Sequence, residues 1–138
     1  MPQLEKWIAM HIKIAPEKMG FGFSNINYVI SCKAKICNKK IVVYGAGNVG
    51  NDYIRQIQKE NLCEDYIWVD RGYKLKSNYM GVEVHSPAEM MEYQFDYVII
   101  AVNNEKVMNE IKNELVELGI GNKKIIWTKP LTVEEFYS

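Results

Sequence analysis

Lys39-Lys40-Ile41-Val42-Val43-Tyr44-Gly45-Ala46-Gly47-Asn48-Val49-Gly50 decides the fold, because a short apolar run breaks directly into a G-x-G-x-x-G turn. Ile41, Val42 and Val43 suit a strand buried on both faces, and Val49, Tyr53, Ile54 and Ile57 recur at helical spacing beyond the turn. Strand, glycine turn and helix therefore follow in the order that an anion-binding unit needs. Gly45 supplies the tight turn, Gly47 lets a phosphate approach the backbone, and Gly50 lets helix and strand pack closely. Free N–H groups at the helix start, on Asn48 and Val49, would face the anion. Asp70 ends the next apolar run, Tyr66-Ile67-Trp68-Val69, twenty residues past Gly50, where an acid for a ribose hydroxyl is expected. Asp52 is discordant, since a carboxylate near the helix start repels phosphate. Its spacing from Asn48 and Arg55 places it toward solvent, with Arg55 close enough to neutralise it. A second reading of the same glycines is that they serve turn geometry alone, with no ligand.

The whole chain bounds what such a turn can belong to. Its 138 residues make one core, fewer than most complete two-domain dehydrogenases have. Seventeen basic and seventeen acidic residues cancel, so no global field draws the chain to nucleic acid or an anionic membrane. No apolar stretch reaches spanning length, and Met1-Pro2-Gln3-Leu4-Glu5-Lys6 lacks the basic region and cleavage site of a secretory signal. A cytoplasmic protein without membrane insertion is expected. Cys32, Cys37 and Cys63 are odd in number and have no histidine at zinc-ligand spacing, so they read as reduced, partly buried thiols and no metal site is expected.

Residues 1–38 differ in pattern from the rest and read as an amphipathic helical appendage to a domain over 39–138. Leu4, Trp7, Ile8, His11, Ile12 and Ala15 share a helical face that Pro16 closes, and Gly20 and Gly22 mark a turn. Asn25 then caps a second helix carrying Ile26, Val29, Ile30, Lys33 and Ile36. Two short helices cannot make a core alone, so this segment is expected to cover an open sheet face or to form a dimer or partner-enzyme interface.

From Lys39 strands and helices alternate, which indicates an α/β domain with a mainly parallel five-stranded sheet. The eleven residues 71–81 are too few for a crossover helix and form a loop on the ligand side, leaving one sheet face under-covered. Ser86-Pro87-Ala88-Glu89 opens a short helix with a capping box and proline at its first position. Asp96-Tyr97-Val98-Ile99-Ile100-Ala101-Val102 is a strand, and Asn103 or Asn104 caps the next helix. That helix turns Val107, Met108, Ile111, Leu115 and Leu118 to the sheet and stops at Gly119. Ile125-Ile126-Trp127 is the fifth strand, and Thr132-Val133-Glu134-Glu135 is a last capping box.

Val42-Val43-Tyr44-Gly45-Ala46-Gly47-Asn48-Val49-Gly50, Trp68-Val69-Asp70, Gly81-Val82-Glu83-Val84-His85-Ser86-Pro87-Ala88-Glu89 and Tyr97-Val98-Ile99-Ile100-Ala101-Val102 together resemble the small Rossmann-like domains of bacterial surface-polysaccharide enzymes. Those include the leading domains of nucleotide-sugar dehydratases and of sugar acyltransferases, and modules joined to sugar-modifying methyltransferases. The resemblance covers about residues 39–128. It implies strand order 3-2-1-4-5 and binding of NAD, NADP or a nucleotide-sugar at the carboxyl edge of the sheet, as a module of polysaccharide biosynthesis. A second resemblance is to dinucleotide-sensing domains of potassium channels and transporters, which usually lack the Gly81–Glu89 segment.

Catalytic residues are not evident. Short-chain dehydrogenases and epimerases need a tyrosine with a lysine four residues on, and none of the nine tyrosines has one: Tyr73 is followed there by Ser77 and Tyr93 by Tyr97. G-x-S-x-G and the P-loop are absent too. His85 reads as a hydrogen-bonded surface or loop histidine rather than a base, and His11 as a packing or interface residue. Asn103, beside the switch point between the first and fourth strands, is either a ligand residue or a helix cap. Arg71, Lys74 and Lys76, interleaved with Tyr73 and Tyr79, make the loop after Asp70 basic and aromatic, suited to adenine and phosphate or simply solvated. Asp70 favours a free 2′-hydroxyl and NAD, whereas Arg71 would accept the 2′-phosphate of NADP, so the choice stays open. A small sugar oxidoreductase that borrows its acid-base groups and a ligand-sensing interaction module are the alternatives to a binding module.

Overall fold

The computed structural model describes residues 26–75 and 81–138. The expected helix through Trp7, Ile8 and His11, the turn at Gly20 and Gly22, the cap at Asn25, and Lys76 and Tyr79 of the basic loop lie outside the described residues.

Apolar runs become strands where the sequence places them. Strand β2 (Lys40–Tyr44) pairs in parallel with β3 (Asp65–Val69) on one side and with β5 (Tyr97–Ile100) on the other. Strand β4 (Val84–His85) adds to β3, and β6 (Ile125–Ile126) adds to β5, both in parallel. The sheet order is β4-β3-β2-β5-β6, which counted within this sheet alone reads 3-2-1-4-5. The sheet is thus a parallel α/β sheet whose order reverses between β2 and β5. Trp127 lies just past β6 rather than within it.

Alternation along the strands divides the core between the two sheet faces. Ile41, Val43, Trp68 and Ile99 pack with Val49, Tyr53, Ile54 and Ile57 of helix α2 (Asn48–Glu60) on one face. Val42, Tyr44, Val69, Val98 and Ile100 pack on the other with Met108, Ile111 and Leu115 of helix α3 (Glu105–Glu117). Leu118, expected on that face, caps the helix end and is exposed. Gly119, at φ 91°, stops the helix as expected. Asn104 is the residue that caps α3, accepting the Val107 N–H, and Ser86 with Glu89 closes a capping box on a 3₁₀ helix over Pro87–Glu92.

Residues 26–36 do not form the expected helix. Tyr28–Val29 is a strand, β1, and only Lys33–Ile36 is helical, a single turn labelled α1. Strand β1 pairs antiparallel with β7 (Leu131–Thr132), and the chain closes with α4 (Val133–Phe136) behind its own capping box. The apolar period misled because Ile26, Val29, Ile30 and Ile36 are all buried, along a path that is not helical. Side chains of α2 explain the path. The Asn27 and Tyr28 N–H groups donate to Asp52 Oδ2 at 2.9 and 3.0 Å, and the Ile30 N–H donates to Gln56 Oε1 at 3.0 Å. The Gln56 amide in turn donates to the Tyr28 carbonyl at 2.8 Å. Gln56 thereby gives β1 the donor and acceptor that a neighbouring strand would supply. Lys33 and Glu60 add a buried ion pair of 3.1 Å between α1 and α2.

Asp52 is therefore not a solvent-facing carboxylate. It is 7% exposed and holds the backbone of Asn27 and Tyr28. Its replacement leaves two backbone donors without an acceptor, so Asp52→Ala is expected to cost about 1–2 kcal/mol, the lower part of the range because both donors are only partly buried. Urea unfolding should show a lowered midpoint at unchanged slope. A midpoint equal to that of the parent chain would mean the segment is not held through this carboxylate.

Of the connection expected to lack a crossover helix, residues 71–75 and 81 are turns, and residues 76–80 lie outside the described residues. Beside β3 and β4 lies a groove of about 350 Å³, lined by Gln58, Tyr66, Trp68, Val82, Glu83 and His85 among others. Residues 26–36 do not fill it. They lie against Asp52 and Gln56, on the flank of α2 away from Gln58. No helix among the described residues is long and apolar enough to cross a membrane.

Candidate functional site

The glycine turn lies over the carboxyl end of the sheet, where the strand order reverses. Its three glycines are there for different reasons. Gly45, at φ 127°, takes a backbone conformation that disfavours a side chain, and a Cβ there would meet the Ala101 carbonyl oxygen at 2.6 Å. The turn crosses β5 that closely. Gly50 sits in the first turn of α2, and a Cβ on it would fall on the Gly45 carbonyl oxygen, far inside van der Waals contact. Gly47 differs from both. Its φ of −93° is open to any residue, and a Cβ on it would meet nothing within 4 Å.

A tryptophan that the sequence reading placed only in a strand organises the turn. Trp68 is almost fully buried, and its indole N–H donates to the Gly45 carbonyl at 2.7 Å. The Gly45 N–H donates to the Val69 carbonyl at 2.8 Å, so the peptide groups on both sides of Gly45 are tied to β3. Sequence does carry a signal for this contact, since a buried indole needs an acceptor and the adjacent turn offers carbonyls.

Asp70 reaches the same turn. Its Oδ2 accepts the Ala46 N–H at 2.7 Å and its Oδ1 accepts the Gly72 N–H at 2.6 Å. An ionised carboxylate has about four acceptor positions, so two bonds leave capacity for ribose hydroxyls. Asp70 thus closes the turn and borders the space over it. Gly47 is the N-cap of α2 and contributes no side-chain cap, and the N–H groups of Asn48 and Val49 lie in the first turn, where an α-helix supplies no acceptor of its own. The structure brings together Gly45, Gly47, Asn48, Val49, Gly50 and Asp70.

One expected site residue, Arg71, has its side chain engaged outside that group. Arg71 is turned to helix α3, where its Nε and one terminal nitrogen donate to Glu114 Oε2 at 3.2 and 2.8 Å, with Glu110 at 3.8 Å. Asn103 is exposed, just past Ala101 and Val102, which border Gly45, and does not cap α3, a role Asn104 fills. The backbone beside it is fixed by Trp127, whose indole N–H donates to the Val102 carbonyl at 3.0 Å.

Titratable groups near the turn are donors or structural partners. Tyr44 donates its hydroxyl to Glu114 at 3.1 Å. Burial pushes its pKa up to about 12 against the pull of Arg71, so it stays protonated at neutral pH and is no base. His85 ends β4 with Nδ1 2.8 Å from Glu89 and Nε2 3.9 Å from Glu83. Its carbonyl accepts the Asp70 N–H, which makes the expected hydrogen-bonded histidine also a backbone neighbour of the acid. Burial raises the Cys32 thiol to about 11, leaving it a poor nucleophile. Among the described residues no three His, Cys, Asp or Glu side chains are grouped to hold a metal ion.

Residues 37–126 match the family described as C2185-like, N-terminal, and the chain belongs to that family. No curated protein matches the chain. The matched residues contain the whole five-stranded sheet with α2 and α3, and they leave out the flanks that form β1, α1, β7 and α4. Those two flanks meet in one antiparallel ribbon outside the family's region.

Proposed function

We propose that this member of the C2185-like N-terminal family is a nucleotide-binding module that takes the diphosphate of NAD, NADP or a nucleotide-sugar on its glycine turn. It acts in the cytoplasm with another domain or subunit, in the surface-sugar metabolism that its sequence resembles. Gly47 carries the reading. The fold requires glycine at 45 and 50 but makes no such demand at 47, where the conformation is ordinary and the space is open. Serine, asparagine or aspartate would be at least as good a helix cap there. A side chain at 47 would occupy the ground over the α2 donors, which is where a diphosphate would lie. Asp70 beside it supplies acceptors for a ribose.

The test is a thermal-shift panel of NAD⁺, NADP⁺, UDP-glucose, coenzyme A and S-adenosylmethionine. A ligand present at 100 times its dissociation constant is expected to add about 2.7 kcal/mol of stability. No shift with any dinucleotide or nucleotide-sugar would reject the reading and leave the glycines to turn geometry.

A further inference from the structure

We propose that Glu114 selects against a 2′-phosphate at this site, by holding the Arg71 guanidinium on helix α3 and leaving the ribose end to Asp70, so that the ligand is NAD(H) rather than NADP(H). The inference rests on the nucleotide-binding reading above and goes further by naming the ligand and a residue that decides it.

Arg71 directly follows the ribose acid, where a guanidinium would meet a 2′-phosphate. In the structure that guanidinium makes two hydrogen bonds to Glu114 Oε2 and lies 3.8 Å from Glu110. Glu114 is itself anchored, because its other oxygen accepts the hydroxyl of Tyr44, a strand residue with almost no exposed surface. The clamp therefore runs from the sheet through Tyr44 and Glu114 to Arg71. Lys74, the other described base of this loop, has its ammonium 6.0 Å from the centre of the Tyr73 ring.

Among the described residues the ribose end is left with Asp70, whose carboxylate is fixed by the Ala46 and Gly72 N–H groups and accepts without donating. A 2′-hydroxyl can donate to it. A 2′-phosphate would instead set a dianion against a carboxylate, with the nearest guanidinium already paired to two further carboxylates. Arg71 and Glu114 are partly exposed, so the pair is a modest lock that a point change can open.

Glu114→Gln keeps an oxygen for Tyr44 and removes the charge that holds Arg71. The parent chain, E114Q and the double variant E114Q/R71A would be titrated calorimetrically with NAD⁺, NADP⁺ and UDP-glucose. The parent is expected to bind NAD⁺ more tightly than NADP⁺. In E114Q the ratio should narrow by about three- to fivefold, the range an exposed ion pair allows. The narrowing should vanish in E114Q/R71A, which a general loosening of the fold would not produce. Equal affinities in the parent, an unchanged ratio in E114Q, or a narrowing that survives removal of Arg71 would each overturn the proposal. Binding of UDP-glucose alone would overturn it while leaving the nucleotide site standing. Binding of none would remove both.

Discussion

Gly50→Ala should destabilise this domain by about 3 kcal/mol or more, although it adds a single methyl group. The new Cβ would fall on the Gly45 carbonyl oxygen, which is backbone and cannot swing aside as a flexible side chain would. Neither partner has room to yield. The Gly45 carbonyl is held by the Trp68 indole and its N–H by Val69, while a Cβ on Gly45 itself would already crowd Ala101. Helix α2 must therefore tilt away from β2, which loosens the packing of Val49, Tyr53 and Ile54 and draws on the Asp52 and Gln56 bonds that hold residues 26–30. A fall in melting temperature of about 10 °C or more is expected for a domain of this size. A melting temperature within a degree or two of the parent would mean that turn and helix are not in the contact described.

How far the fold can be read from sequence follows from the range of the interactions involved. Strands β2, β3 and β5 and helices α2 and α3 were legible because their apolar residues repeat at the strand or helix period over a few neighbouring positions. Capping boxes at Ser86 and Thr132 were legible for the same reason, since cap and partner are three residues apart. Residues 26–36 were not. Their buried positions satisfy a helical period by coincidence, and what makes Tyr28–Val29 a strand is Asp52 and Gln56 some 24 to 28 residues away, with β7 a hundred residues on. Asp52 was misjudged through the same blindness, because its local spacing suggested Arg55 and solvent while its partners come from a distant segment.

The candidate site divides the same way. Gly45, Gly50 and Asp70 are local features of a strand–turn–helix unit, and the structure gives each a contact at the turn. The fixing of Gly45 by Trp68 joins residues 23 apart, and the capture of Arg71 by Glu114 joins residues 43 apart. The buried indole signals only that Trp68 needs some acceptor, and the Arg71–Glu114 pair has no sequence pattern at all. Sequence could therefore propose both an acid and a base for the ribose but could not say that the base is engaged elsewhere.

Gly47→Asp is expected to abolish binding of any diphosphate ligand while leaving the fold intact or slightly firmer. Aspartate is among the preferred N-cap residues, the φ of −93° admits it, and its Cβ would meet no atom within 4 Å. Its carboxylate would take N–H donors of the first turn of α2 and place a negative charge over the helix start, where a diphosphate would need to lie. Stability should rise by a few tenths of a kcal/mol or stay level. The gain in stability and the loss of binding come from the same hydrogen bonds, which separates this variant from Gly50→Ala, where binding would fail because the turn is lost.

The direct measurement is a calorimetric titration of the parent chain and Gly47→Asp, side by side, with whichever of NAD⁺, NADP⁺ and UDP-glucose stabilises the parent, after thermal melts of both without ligand. A melting temperature for Gly47→Asp at or above that of the parent, together with binding in the parent alone, is the expected result. Equal affinity in the two proteins would contradict a diphosphate site on the glycine turn.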